Sequence, residues 1–351
     1  MAYIINQNDY TDDLSKELLS DGARFAAKNK VDPIALSPKY LRVERALLTG
    51  KKAIFIGGDP GTAKTSTPRL HANKNGIPFL LVPCTEATRP ASFIGKTVFN
   101  PHKGIDGDTA ETVFREGHLL ESFIKGYICC LDDFTQTSED CMTTVQEFAM
   151  MPDIYFCPEN KQVYHRHPNF RLVMTGNPGC RGNKKLPQAL KSRIHYILID
   201  KIEEKGMLLL GKSKCGTLSD KFFKDCLALS AAINKYAKDN AKAHVACGIR
   251  EIEKILSCLE DDNGAYLPKM DEFFGYLEDS FINILQEEIR PDLIDSFEKA
   301  PSTQAMMKSI YDSYIACVDP NAPQPDKSKK KAESKSGNDL FNDLMGGRIH
   351  L

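Results

Sequence analysis

Five short apolar runs punctuate the first two hundred residues: AIFIG (53–57), PFLLVP (78–83), YICCL (127–131), FRLVMT (170–175) and HYILI (195–199). Each is too short for a helix, rich in β-branched residues or other strand formers, and bounded by turn residues, which predicts buried strands. Amphipathic helical patterns separate most of the runs, so the expected architecture is α/β, a parallel sheet with helices on both faces. Ahead of the first run lie polar, helix-compatible segments ending in SPKYLRVERALLTGKK, where Ser37 and Pro38 suit a helix start. From about residue 206 the strand runs stop. DKFFKDCLALSAAINKYAKD and REIEKILSCLEDD repeat apolar residues at spacings of three and four, which predicts a small all-α second domain.

After YIACVD the composition turns to Pro, Ser and Lys (PNAPQPDKSKKKAESKSGN), too poor in apolar residues to order itself. The chain then reaches DLFNDLMGGRIHL, where Leu340, Phe341, Leu344 and Met345 fall on one helical face; a tethered docking peptide and a helix packing back on the body are both open readings. The expected divisions are 1–35 (N-terminal helical extension), 36–205 (α/β domain), 206–318 (all-α domain and C-terminal helices), 319–337 (disordered linker) and 338–351 (the candidate docking peptide).

Composition changes this picture little. The 351 residues carry a formal charge of −1, 42% apolar and 26% charged residues, which argues against a whole-chain electrostatic grip on nucleic acid. No apolar run approaches a membrane span and no basic segment followed by an apolar core opens the chain, so the expected location is cytoplasmic, without membrane contact. Eleven cysteines form no C-x-x-C pair, and a disulfide framework is not expected. Cys157, His165 and His167 are conceivable metal ligands, with exposed hairpin histidines as the plainer account.

The chemistry centres on FIGGDPGTAKTSTPRL (55–70). Gly58, Lys64 and Thr65 satisfy three of the four fixed positions of G-x-x-x-x-G-K-[ST], with Ala63 in place of the second glycine. Such a loop converges backbone N–H groups on phosphate oxygens at a helix N-terminus. The candidate binding residues are Gly58, Asp59, Pro60, Gly61, Thr62, Ala63, Lys64, Thr65 and Ser66. Ala63 is tolerable if it already has helical dihedrals, whereas Pro68 is expected to remove one helical hydrogen bond and bend the helix.

YICCLDD is an apolar strand ending in two carboxylates. Asp132 is placed to hold Mg²⁺ with Thr65, and Asp133 to orient an attacking water. FRLVMTGNP ends a second strand on Asn177, whose amide could contact a γ-phosphate, although an asparagine before proline also serves as a plain turn former. LPQALKSRIHYILID sets Arg193 between a short helix and a strand, where an arginine can serve a neighbouring subunit's nucleotide or form a surface ion pair.

The order of these motifs resembles the AAA+ ATPases, in the MoxR and dynein-related branch that includes cobalt chelatase small subunits. The resemblance rests on GTAKT, on FREGHLL (114–120) ahead of the acidic strand and on TGNP (175–178), and covers roughly residues 36–260. It implies a P-loop sheet of strand order 5-1-4-3-2 followed by a helical lid. It makes Lys64 and Thr65 Walker A, Asp132 Walker B, Asn177 sensor 1, Arg193 the arginine finger and Arg250, in CGIREIEKIL, sensor 2. The catalytic set it implies is Lys64, Asp133, Asn177 and Arg193, with Thr65 and Asp132 as the Mg²⁺ ligands. It further implies a helix 2 insertion at 92–114 and a hairpin at 153–170. Asp133 departs from the family's glutamate, being one methylene shorter, so slow hydrolysis is expected.

The implied function is an ATP- and Mg²⁺-dependent ring, a hexameric homo-oligomer with nucleotide sites between subunits, acting as a chaperone-like remodeller of a partner that carries a von Willebrand factor A domain. The alternative is a nucleotide-driven motor or assembly switch of a nucleic-acid-processing complex of restriction or phage-defence type. The GTP-specific motor of modification-dependent restriction systems has a similar loop, but its polar sensor motif is missing from MTGNPGCRG. A third reading is a switch that binds ATP with negligible hydrolysis.

Overall fold

The computed structural model describes residues 3–4, 10–100, 111–178, 183–199, 202, 204–214, 218–241, 247–261, 264–265, 267–285 and 289–319. The linker and docking-peptide expectations at 319–351 therefore lie almost wholly outside the described residues, as does the middle of the 92–114 insertion. The chain divides into two compact units, Met1–Lys201 and Ile202–Leu351.

The first unit opens with helices α1 (Asp13–Lys28), α2 (Pro33–Leu36) and α3 (Tyr40–Thr49), then β1 (Ile54–Gly57), α4 (Ser66–Lys74), β2 (Phe79–Pro83) and α5 (Pro90–Ile94). An antiparallel hairpin of β3 (Gly95–Asn100) and β4 (Glu111–Glu116) leads into α6 (His118–Lys125), β5 (Ile128–Asp132) and α7 (Glu139–Ala149). A second hairpin, β6 (Ile154–Cys157) with β7 (Gln162–His165), precedes β8 (Arg171–Gly176), α8 (Gln188–Lys191) and β9 (His195–Leu198).

Five of these strands form one sheet in the order β2-β5-β8-β1-β9. Every neighbouring pair is parallel. Counting only these strands along the chain, the order is 5-1-4-3-2 read from the β9 edge, as expected.

Alternation along the strands builds two core layers. Ile54, Ile56, Cys130 and Val173 pack on one face with Tyr40, Val43 and Leu47 of α3 and Ala72 of α4. Phe55, Cys129, Leu131 and Met174 pack on the other with Phe93 of α5, Phe123 of α6 and Phe148 of α7. Burial on both faces is why the strands read as continuous apolar runs. Because parallel strands share a direction, the ends of β1, β5 and β8 lie together, and the loops leaving them share one rim of the sheet.

The second unit is built from α9 (Glu204–Lys214), α10 (Asp220–Ala241), α11 (Ile249–Cys258), α12 (Met270–Leu277), α13 (Pro291–Glu298) and α14 (Pro301–Val318) around Phe222, Phe223, Ile255, Phe273, Met307 and Tyr314. It is not purely helical: a two-residue pairing of β10 (Glu260–Asp261) with β11 (Gly264–Ala265) interrupts the helices.

Candidate functional site

The segment from Gly58 to Thr65 leaves the end of β1 and enters α4 at Ser66. Its root is clamped on both sides, Gly58 N–H donating to the Gly176 carbonyl of β8 (3.3 Å) and Ile199 N–H to the Gly57 carbonyl (2.7 Å). Gly58 has φ +157°, and a Cβ there would come within 2.8 Å of the Ile199 carbonyl oxygen, so only glycine fits.

Within the loop, Lys64 Nζ donates to the carbonyls of Gly58 (2.9 Å) and Asp59 (2.8 Å), and Thr62 Oγ1 donates to the Asp59 carbonyl (2.8 Å). The ammonium is thus buried in the hollow of the loop. Thr67 donates to the Ala63 carbonyl through both its N–H and its hydroxyl, starting the helix.

One expectation about this loop needs correcting. Ala63 does not have right-handed helical dihedrals; its φ is +63°. The left-handed conformation costs a non-glycine residue on the order of 1 kcal/mol, so the alanine replaces glycine at a real conformational expense. Pro68 is the third residue of α4 and directly follows Thr67, whose N–H already makes an i→i−4 bond to the Ala63 carbonyl, so its ring nitrogen cannot supply the next bond of that series, to the Lys64 carbonyl.

Asp132, the last residue of β5, meets the loop directly. Its Oδ1 accepts hydrogen bonds from Thr65 Oγ1 and from Thr175 Oγ1 of β8, each at 2.6 Å. The Thr175 hydroxyl also accepts the Asp133 N–H (3.0 Å), so one buried side chain ties both aspartates to the neighbouring strand. Asp133 has left-handed dihedrals, φ +52° and ψ +36°. Aspartate enters this region several-fold more readily than most residues, a backbone reason for the shorter carboxylate at this position.

Asn177 Nδ2 points to Asp133 Oδ1 at 3.4 Å, and Asn183 Nδ2 donates to the Asn177 carbonyl (2.6 Å). Asn177 Oδ1 and Thr135 Oγ1 are buried without a hydrogen-bond partner, beside the same rim. Orphaned polar atoms of this kind fit a site completed by a ligand or water. A hydroxyl, a carboxylate and side-chain amide oxygens are hard donors, the chemistry Mg²⁺ takes alongside phosphate oxygens.

The structure thus brings together Gly58, Asp59, Pro60, Gly61, Thr62, Ala63, Lys64, Thr65, Ser66, Asp132, Asp133 and Asn177. It does not bring Arg193 to them. Arg193 precedes β9, whose first residue His195 pairs with Ile54 at the start of β1, so the arginine lies at the opposite rim from the loop and donates to the Ala189 carbonyl. Arg250 is exposed on α11 of the second unit. Thr175 and Tyr40, which reaches the loop from α3, were assigned no role from the sequence; a hydroxyl directly after the apolar stretch Leu172–Met174, one residue before β8 ends beside the acidic strand, is the signal that marks Thr175.

Cys157, His165 and His167 do not converge. Cys157 is buried and faces Glu159, His165 is exposed across from Ile154, and His167 Nδ1 accepts the Asn169 N–H. No three potential metal-ligating side chains cluster among the described residues.

Residues 53–194 match the AAA domain (dynein-related subfamily). Midasin of Dictyostelium discoideum is 29% identical over 164 residues, 46% of this chain and 3% of midasin. The denitrification regulatory protein NirQ of Pseudomonas aeruginosa is 23% identical over 165 residues, 46% of this chain and 60% of NirQ. The chain therefore spans less than two thirds of the length of either relative. A solved structure of a candidate ATPase from Cytophaga hutchinsonii aligns with 85% of this chain and 95% of its own at 13% identity, with a TM-score of 0.41. No helix among the described residues is long and apolar enough to cross a membrane.

Proposed function

We propose, taking residues 53–194 as an AAA domain of the dynein-related, MoxR-like type, that the protein binds ATP with Mg²⁺ and hydrolyses it in sites shared between subunits of a ring. The observation that carries this reading is the contact of Thr65 and Thr175 with Asp132, which joins the phosphate loop to the acidic strand. In the proposed site Lys64 exchanges the carbonyls of Gly58 and Asp59 for phosphate oxygens, and the loop N–H groups up to Ser66 take the rest of the phosphate charge. Thr65 and Asp132 would hold Mg²⁺, which when bound neutralises charge on the phosphate oxygens. Asp133 accepts a proton from the attacking water, and Asn177 fixes that water against the carboxylate. Thr175 positions both aspartates.

Arg193 belongs to the neighbour's site in this scheme, where its fixed charge stabilises the phosphoryl transition state, and Arg250 reads the nucleotide from the helical unit. The assembly is a hexamer that remodels a partner protein, with a von Willebrand factor A domain as the partner class. The support for a shared site is that Arg193 lies on the rim away from its own loop.

The test is complementation. Arg193→Ala and Lys64→Ala should each be nearly inactive alone, and mixing them should restore part of the turnover, because a ring then contains an intact loop facing an intact Arg193. Arg193→Ala turning over ATP at the normal rate would rule out the shared site. Competition of ATP against GTP, with and without DNA, separates this reading from a nucleic-acid motor.

A further inference from the structure

Tyr40 is fully buried at the start of α3, packed in the same core layer as Val43, Leu47, Ile54 and Ile56. Its hydroxyl donates to the carbonyl oxygen of Thr62, inside the phosphate loop. Burial pushes the Tyr40 phenol well above its ordinary range, so it keeps the proton it donates.

The peptide that carries this carbonyl is the one between Thr62 and Ala63, and its plane is set by rotation about ψ of Thr62 and φ of Ala63. Ala63 holds φ +63°, a conformation that glycine enters freely and alanine resists by a factor of roughly ten in population. Left to itself, this peptide would rotate to relieve Ala63 and turn the loop's N–H groups away from a common centre. The contacts of Thr62 Oγ1 and Lys64 Nζ described above lie within the loop and move with it, and Thr67 of α4 holds the carbonyl of Ala63, the next peptide along. Tyr40 comes from outside, on a helix anchored in the core.

We infer that Tyr40 is a positioning residue of the nucleotide site: its hydroxyl pins the Thr62–Ala63 peptide and keeps the alanine-containing loop in the phosphate-binding conformation. It substitutes for the conformational freedom that a glycine at position 63 would give. The inference rests on the nucleotide-binding reading, but its structural core can be tested without nucleotide.

The test is a double-mutant cycle of Tyr40→Phe and Ala63→Gly in the full chain, with Lys64→Ala as the binding control. Affinity for a fluorescent ADP analogue should fall about five- to tenfold in Tyr40→Phe and less than twofold when the same change is made in Ala63→Gly. In parallel, amide exchange of the 58–66 peptide in nucleotide-free protein should quicken in Tyr40→Phe and return toward the parent rate in the double variant. The thermal midpoint monitors the fold, and a merely structural Tyr40 would give the same loss in both backgrounds. Equal loss in both backgrounds, or unchanged affinity and exchange in Tyr40→Phe, overturns the inference. Analogue binding insensitive to Lys64→Ala, or none in the parent protein, overturns the nucleotide reading instead, and the exchange data still decide the role of Tyr40.

Discussion

Asp133 combines left-handed dihedrals with a carboxylate facing Asn177, so its backbone and its side chain place separate demands on the residue. Asparagine meets the first demand and cannot accept a proton, so Asp133→Asn should keep nucleotide affinity and stability within error while turnover falls about a hundredfold or more. Parallel measurements of phosphate release and of thermal midpoint check both halves. Thr175→Val keeps shape but removes the acceptor for the Asp133 N–H and the donor to Asp132. It should cost roughly 1–3 kcal/mol in urea unfolding. His71 illustrates a different residue-level effect. Burial, with Lys74 and Arg171 nearby, lowers its pKa to about 4 from the model-peptide value of 6.5. The unfolded chain therefore takes up the proton first, and stability is lost as pH falls from about 6.5 toward 4, by an amount on the order of 3 kcal/mol. Urea midpoints at pH 7 and pH 5 for the parent and His71→Gln should show the slope shrinking in the variant.

Among the elements, those buried on both faces were the readable ones. β1, β5 and β8 carry uninterrupted apolar runs because core lies above and below them. The β3 strand breaks that rule, with Phe99 62% exposed, so only its resemblance to a known insertion marked its region. Carboxylates and a lysine in order along the chain identified the loop and the acidic strand, but the dihedrals of Ala63 could not be read from residue type, since alanine fits several regions and the tertiary contact with Tyr40 decides among them. The role of α1 was also hidden. It packs on the loop helix α4 through an ion pair of Asp21 with Arg69, whose guanidinium also lies 4.1 Å from the Phe25 ring centre. At its start, buried Ser15 bonds Asp12 and the Tyr127 hydroxyl. These two ends should differ in weight: Asp21→Ala, in a half-exposed pair, should cost less than ~1 kcal/mol. Ser15→Ala leaves a buried hydroxyl short of a partner and should cost roughly 1–3 kcal/mol, a contrast that chemical denaturation resolves.

At the scale of the whole molecule, the sheet order, the loop at the rim where β1 ends and the arginine at the rim where β1 begins together favour sites completed by a second subunit. Removing the arginine's charge should therefore affect turnover far more than binding. Arg193→Ala is expected to lose about a thousandfold in turnover, with nucleotide affinity changed less than threefold, as read by phosphate release and equilibrium titration. The most direct test of the account is steady-state phosphate release from ATP and Mg²⁺ by the full chain, compared with Lys64→Ala and Asp132→Asn. The account predicts turnover in the parent that falls to background in both variants. Absence of turnover in the assembled parent, or turnover that survives Lys64→Ala, would contradict it.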